Sequence, residues 1–123
     1  MTAMERILSE AEQRSIPVKV TFELTNRCNE RCEMCYVDLD DLEDELTTHE
    51  VYRILGELKK AGTLILTLSG GEIFTRKDAL EIIRRTRELG MAPRVFTNGT
   101  LLREKHADAL ADIQVFVVEI TVF

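Results

Sequence analysis

Hydrophobic positions along the chain alternate between short continuous runs and a helical spacing of about 3.6 residues. The continuous runs are rich in β-branched residues and predict buried strands, whereas the helical spacing predicts amphipathic helices between them. The predicted strands are 18–24, 63–68, 93–97 and 115–122. Four helices are predicted. The first covers residues 2–14 and the last covers 101–112. Between them, one helix begins after Thr47 and ends at Gly62, and another begins after Thr75 and ends at Gly90. We therefore expect a series of βα units.

The helix after Thr47 has the clearest boundaries. Thr47 and Glu50 have the spacing of a capping box, and Gly62 supplies a stop. Each helix carries one apolar face that is expected to pack in the core. These faces are Val51, Ile54, Leu55 and Leu58, then Leu80, Ile82, Ile83 and Leu89, then Leu102, Ala107, Leu110 and Ile113.

The order of the elements predicts an α/β fold. Strands separated by amphipathic helices imply a parallel sheet with right-handed crossovers, either a doubly wound sheet or part of a βα barrel. Both architectures bind ligands at the carboxyl ends of their strands. The cysteine segment, residues 69–72 and Asn98-Gly99 follow the first, second and third predicted strands. We therefore expect one site at this edge of the sheet.

Length and charge limit the possible partners. With 123 residues, 45% of them hydrophobic, the chain is expected to form a single domain over 1–123, with a leading helix in 1–16 and βα units in 17–123. Its formal charge of −6 repels phosphate backbones and anionic lipids, so neither nucleic acid nor membrane is expected as a partner. The charged N-terminus does not resemble a secretory signal, and we expect a cytoplasmic protein.

All three cysteines, Cys28, Cys32 and Cys35, lie within eight residues. In the cytoplasm such a cluster favours metal binding or catalysis over disulfides, and thiolates bind zinc, copper(I) and iron–sulfur clusters. A closed zinc site needs a fourth ligand, and His49 and His106 lie far away on predicted helices. An iron–sulfur cluster on three thiolates keeps one iron open for other chemistry. Inert thiols, or zinc completed by a partner, remain alternatives.

Three motifs resemble those of the radical S-adenosylmethionine (SAM) enzymes. The spacing of Cys28, Cys32 and Cys35 after the first strand matches the hallmark of that family. Ser69-Gly70-Gly71-Glu72 resembles the glycine-rich segment that contacts the amino group of SAM, and residues 96–100 are also similar to the family. The resemblance covers residues 18–123. Tyr36 and the last strand most resemble the SPASM-type subset, which modifies peptides.

The resemblance implies a fold, cofactors and a reaction. The fold would be about the first four strands of a (βα)6 TIM-like barrel. A [4Fe–4S] cluster would cleave SAM reductively to a 5′-deoxyadenosyl radical, which abstracts hydrogen from a peptide or small-molecule substrate, with flavodoxin or ferredoxin as electron donor. The implied metal ligands are Cys28, Cys32 and Cys35, and the implied cofactor-binding residues are Met34, Tyr36, Ser69, Gly70, Gly71, Glu72, Asn98 and Thr121. No catalytic residue on the substrate side is assigned.

The sequence departs from the family pattern in three places. Met34 and Ile73 stand where the family often has an aromatic residue and a proline, and the chain stops at Phe123, on the fourth of six expected strands. We therefore expect a truncated chain whose open fourth strand allows self-association. The alternative function is a non-catalytic iron–sulfur or zinc-binding module that cannot complete SAM chemistry.

Overall fold

A computed structural model of the protein describes residues 2–14, 16–26 and 45–120. Within these ranges helices and strands alternate. The elements are α1 Ala3–Arg14, β1 Lys19–Glu23, α2 Thr48–Ala61, β2 Ile65–Ser69, α3 Ala79–Glu88, β3 Ala92–Thr97, α4 Glu104–Ile113 and β4 Val117–Ile120, with a short 3₁₀ helix at Ile73–Thr75. None of the helices in this part of the chain has the length and apolar content needed to cross a bilayer.

The four described strands form one parallel sheet in the order β1-β2-β3-β4. Each strand therefore lies beside the next one in the chain, and the order does not reverse. Right-handed crossovers in such an order place the connecting helices on a single face of the sheet, whereas a doubly wound sheet needs a reversal to cover both faces. The predicted parallel βα units are confirmed, and the strand order favours the barrel architecture.

The core lies between the helices and one face of the sheet. Leu66 and Leu68 of β2 and Val95 of β3 share this face by register, and all three are buried. The same cluster contains buried side chains from three helices, namely Val51, Leu55, Ile82, Ile83, Leu110 and Ile113. The apolar spacing of these helices is thus explained by burial against the sheet.

Helix α2 has the boundaries that its sequence predicts. The Thr47 hydroxyl accepts from the Glu50 N–H, and the Glu50 carboxylate accepts from the Thr47 N–H, which completes the capping box. At the other end Gly62 has φ 104°, where a Cβ would lie 2.6 Å from Cγ2 of Ile16. Both local signals are confirmed.

The start of α3 differs from the prediction. Thr75 does not cap this helix, because it belongs to the 3₁₀ helix, where its hydroxyl donates to the Glu72 carbonyl, and α3 begins only after Asp78. The other differences in the strands and helices are smaller. The strands β1 and β4 are shorter in the described residues than predicted, and Ala107 is exposed because it lies in the first turn of α4, ahead of the core residues Leu110 and Ile113.

The late start of α3 has a cause in the Arg76–Asp78 pair. Nε and Nη2 of Arg76 each donate to the Asp78 carboxylate at 2.8 Å, while Nη1 donates to the Leu24 carbonyl at 3.0 Å. The Thr48 hydroxyl also donates to Asp78. These contacts tie the segment before α3 to the end of β1 and to the start of α2. The hydrogen bonds from Arg76 hold the pKa of Asp78 below its ordinary value.

We expect Asp78→Asn to lower the free energy of unfolding by about 2 kcal/mol at pH 7, because charge-assisted hydrogen bonds in a largely buried pair are lost. The pKa of Asp78 is lower in the folded state, so the contribution is complete above the ordinary value of 3.8 and is lost as the pH falls below it. Urea unfolding of both proteins across this range measures the difference, which should shrink in acid.

The matched control is Asp112→Asn. Asp112 pairs with Arg84 at 3.3 Å, but both side chains are exposed, and such surface pairs contribute little. Equal losses for the two variants, or a loss at Asp78 that does not change with pH, would contradict the assignment.

Candidate functional site at the carboxyl edge of the sheet

Two of the three predicted site segments lie in the described residues. Residues 69–72 follow β2, and Asn98 follows β3, so both are at the carboxyl edge of the sheet. The predicted metal ligands Cys28, Cys32 and Cys35, and the predicted cofactor residues Met34, Tyr36 and Thr121, lie outside the described residues. Their roles remain predictions.

The end of β1 lies directly against the glycine segment. The Leu24 N–H donates to the Ser69 carbonyl at 2.8 Å, and the Gly71 N–H donates to the Thr25 carbonyl at 2.9 Å. Gly70 has φ 151°, and a Cβ on it would lie 2.5 Å from the Thr25 carbonyl oxygen. A side chain at position 70 would therefore push apart the two strand ends, which explains a glycine there.

A carboxylate connects the two ends of the cysteine segment. The Thr25 hydroxyl and the Asn26 N–H, the latter at 3.2 Å, both donate to Oε1 of Glu45. The sequence from 27 to 44, which includes every cysteine, begins and ends at this contact. The segment therefore leaves and rejoins the described structure at the same edge as residues 69–72.

Glu72 is the central side chain of the described edge. The residue is 1% exposed, and Oε1 accepts from the Asn98 N–H at 2.8 Å while Oε2 accepts from the Phe74 N–H at 2.9 Å. The Thr97 hydroxyl lies 2.7 Å from Oε1 and 2.8 Å from Oε2. In the described ranges no cation pairs with Glu72, so neutral donors from β3 and from the 3₁₀ helix stabilise its charge.

The turn after β3 is shaped by its own side chains. Oδ1 of Asn98 accepts from the N–H and the hydroxyl of Thr100, at 3.0 and 2.7 Å. The Gly99 N–H donates to Oγ1 of Thr97 at 3.1 Å, and Gly99 has φ 81°, a conformation that favours glycine. Asn98 thus contributes both a turn and a backbone N–H to Glu72, and the two predicted segments form one network.

The face of the sheet opposite the core carries charged and polar side chains beside apolar ones such as Ile65 and Val117. We call it the helix-free face and define it by Thr21, Glu23, Arg94, Phe96 and Glu119, which alternate with the core-facing positions of β1, β3 and β4. Arg94 forms an ion pair with Glu119, and its guanidinium lies 5.1 Å from the centre of the Phe96 ring. A parallel sheet that packs on both sides is apolar on both faces, so this face suits a polar ligand.

The two histidines do not approach the described edge as ligands. His49 is exposed in the first turn of α2. Nδ1 of His106 accepts from the Arg103 N–H at 2.9 Å, and its ring contacts Phe74 edge-on, with desolvation lowering its pKa. Among the described residues no group of three or more potential ligands is placed to hold a metal ion.

The side chains that organise this edge were not predicted from the sequence. Thr25 and Glu45 are ordinary residue types that belong to no recognisable motif, and Thr97 lies in the 96–100 motif but was not assigned a role there. Position alone could have suggested two of them, because Thr25 follows β1 and Thr97 ends β3, each next to a predicted site segment. Glu45 gave no such signal, since it ends an acidic run that is typical of a solvated loop.

Comparison with known proteins identifies relatives along almost the whole chain. A family model described as the Radical SAM superfamily matches residues 22–123. The PqqA peptide cyclases of Bradyrhizobium diazoefficiens and Rhodopseudomonas palustris are 36% and 38% identical over 120 residues, which cover 96% of this chain and 32% of each relative. The Fe-coproporphyrin III synthase of Methanosarcina barkeri is 36% identical over 96 residues, covering 76% of this chain and 24% of that protein. The chain thus spans about a third of the length of the PqqA peptide cyclases.

Solved structures share the fold. SuiB of Streptococcus suis bound to S-adenosylmethionine superposes with a TM-score of 0.69 at 20% identity, covering 87% of this chain and 26% of SuiB. BtrN in complex with AdoMet and 2-DOIA superposes with a TM-score of 0.70 at 22% identity, covering 84% of this chain and 44% of BtrN. These neighbours are TIM-barrel enzymes, so the predicted partial barrel is confirmed over the doubly wound alternative. On the match over residues 22–123, the chain belongs to the Radical SAM superfamily, whose enzymes use a [4Fe–4S] cluster and S-adenosylmethionine.

Proposed function

We propose that this chain forms the cofactor-binding edge of a radical SAM enzyme that modifies a peptide. The observation that carries the proposal is the meeting of three segments at one edge of the sheet. The ends of the cysteine segment, the Gly70-Gly71 segment and the turn at Asn98 are joined there by direct hydrogen bonds. A cofactor that contacts all three segments would need this arrangement.

The described residues fit these cofactors. S-adenosylmethionine carries an ammonium group, and the glycine segment that would receive it is held in place by the buried Glu72 carboxylate, which accepts from donors of Phe74, Thr97 and Asn98. The absence of a side chain at Gly70 lets the glycine segment lie directly against Thr25, so both segments meet where a cofactor would bind. The cysteine segment starts beside these glycines, and three thiolates with one open iron match the chemistry of the donor set.

Each residue then has a role in binding. Cys28, Cys32 and Cys35 would hold the cluster, and residues 69–72 with Asn98 would hold the methionyl part of S-adenosylmethionine. When bound, the two cofactors together supply a radical that removes a hydrogen atom from the substrate. The protein itself orients the bound groups and keeps water and oxygen away from the reactive centre. Met34, Tyr36 and Thr121 are proposed as further cofactor contacts.

The proposed substrate class is a peptide. Two relatives are named PqqA peptide cyclases, and one structural neighbour, SuiB, is bound to a precursor peptide. The helix-free face supports this class, because it offers a guanidinium, carboxylates and an aromatic ring at the edge where the cofactors would bind. Peptides carry both donors and acceptors that such a face can pair with.

The remaining partners follow from the chemistry. Reduction of a cluster requires an electron donor, and a flavodoxin or ferredoxin is proposed for this role. The cytoplasm is the proposed location, since reduced thiols and oxygen-sensitive clusters persist there. Pairing through β4 is proposed as a route to self-association, because within the described residues β4 pairs only with β3 and its Ile120 is 55% exposed.

Anaerobic reconstitution with iron and sulfide tests the function. We expect about four irons and four sulfides per chain, and an electron paramagnetic resonance signal that shifts when S-adenosylmethionine is added. Cys32→Ala should lose this cluster because only two thiolates remain, while its circular dichroism stays that of the wild type.

Three other results would contradict the proposal in different ways. A cluster that ignores S-adenosylmethionine indicates the non-catalytic iron–sulfur module, and tight zinc binding without iron indicates a zinc module. Wild-type iron content in Cys32→Ala would overturn the assignment of Cys32 as a ligand.

Gly70→Ala tests the glycine segment. The added Cβ would meet the Thr25 carbonyl oxygen at 2.5 Å at a backbone angle that disfavours side chains, so we expect lower stability and at least tenfold weaker S-adenosylmethionine binding. Gly56→Ala is the matched control, since a Cβ at that position in α2 meets nothing within 4 Å. The control should unfold at equal or higher urea concentration because alanine favours helices by about 1 kcal/mol. Wild-type binding by Gly70→Ala would show that the contact between Gly70 and Thr25 is not needed to form the binding site.

Arg94→Gln tests the helix-free face as the peptide site. With labelled PqqA peptide as the probe, we expect about tenfold weaker binding in fluorescence anisotropy, since arginine is a frequent anchor residue at interfaces. Arg84→Gln is the matched control, because Arg84 is an exposed arginine in α3, a helix that packs on the other face. Equal effects of the two substitutions would show that the peptide is held by charge alone and not by this face.

A further inference from the structure

The Thr97 hydroxyl has an unusual position for a strand residue. Thr97 is 4% exposed, and its Oγ1 lies within hydrogen-bond distance of both Glu72 oxygens while it accepts from the Gly99 N–H at 3.1 Å. It therefore connects the carboxylate after β2 to the turn after β3. No motif of the sequence includes this contact, which joins residues 25 positions apart.

The orientation of a buried carboxylate is fixed by the donors that bond to it. Both Glu72 oxygens accept from backbone N–H groups, those of Asn98 and Phe74, and the Thr97 hydroxyl adds the only side-chain donor within the described ranges. Charged acceptors bind their donors more strongly than neutral ones do. The hydrogen bonds to Glu72 therefore hold the segment after β2 firmly against the end of β3. Without the Thr97 hydroxyl, only backbone N–H groups would connect the Glu72 carboxylate to the rest of the edge.

We propose that Thr97 is a positioning residue for the S-adenosylmethionine site. Its hydroxyl fixes the Glu72 carboxylate and the Asn98-Gly99 turn relative to Gly70-Gly71, so that the binding edge is formed before the ligand arrives. Thr97 acts through Glu72 and through the turn, and it does not contact the ligand. The inference rests on the proposed function, because it concerns the affinity of the same edge.

Thr97→Val removes the hydroxyl and keeps the shape of the side chain, and Thr97→Ser keeps the hydroxyl. The matched control is Thr63→Val. Thr63 is also fully buried, and its hydroxyl donates to the Pro17 carbonyl at 2.7 Å, at the opposite end of the sheet. Thr97→Val and Thr63→Val therefore each lose one buried hydroxyl, but only one of them lies at the site.

The first measurement is amide hydrogen exchange in the protein without cofactors. We expect Thr97→Val to speed exchange about tenfold at Phe74, Asn98 and Gly99, whose N–H groups bond to the network. Thr97→Ser and Thr63→Val should retain wild-type exchange at these amides. Unchanged exchange in Thr97→Val would overturn the proposal, because the hydroxyl would then not hold the edge.

The second measurement is S-adenosylmethionine binding to the reconstituted protein, followed by electron paramagnetic resonance. We expect Thr97→Val to raise the dissociation constant about tenfold, equivalent to about 1.4 kcal/mol, with Thr97→Ser and Thr63→Val near the wild type. If the wild type binds and Thr97→Val binds equally well, this proposal alone is overturned. If the wild type does not respond to S-adenosylmethionine, the proposed function fails, and this inference fails with it.

Discussion

The carboxyl edge of the sheet depends on one buried carboxylate. Removing an ionised group from water costs several kcal/mol unless hydrogen bonds or an opposite charge compensate. The protein compensates Glu72 with donors from Phe74, Thr97 and Asn98, all of them neutral. If the segment after β2 moved away from the end of β3, the buried Glu72 carboxylate would lose its hydrogen bonds from Thr97 and Asn98. This constraint places the glycine segment and the asparagine turn as one unit.

The two faces of the sheet differ in what covers them, because the strands lie side by side in the order of the chain. This order places the helices on one face, where Leu66, Leu68 and Val95 supply the apolar contacts for folding. The opposite face is then available for polar residues such as Arg94 and Glu119. Core positions and helix-free positions thus alternate along the same strands, and a substitution at one register position affects one face much more than the other.

The predictable features of this chain are those that arise from neighbouring residues. The boundaries of α2 follow from Thr47, Glu50 and Gly62, which interact within single turns. The start of α3 could not be predicted, because the segment before it is held by a hydrogen bond from Arg76 to the carbonyl of Leu24, which is 52 positions away in the sequence. The same distinction holds at the site. The positions of residues 69–72 and Asn98 follow from the strand order, whereas the Glu72–Thr97 contact requires knowledge of the side-chain packing between two strands.

The contact between Asn26 and Glu45 joins the two ends of the segment that contains all three cysteines. Bringing the ends of a loop together costs entropy, and this cost is met here by hydrogen bonds from Thr25 and Asn26 to one carboxylate. Metal binding commonly provides folding energy to a site that is not formed in its absence. With the two ends already joined, the proposed thiolate ligands in the intervening sequence would need to satisfy only local geometry. The fold therefore closes this segment at its two ends, at the same edge as residues 69–72.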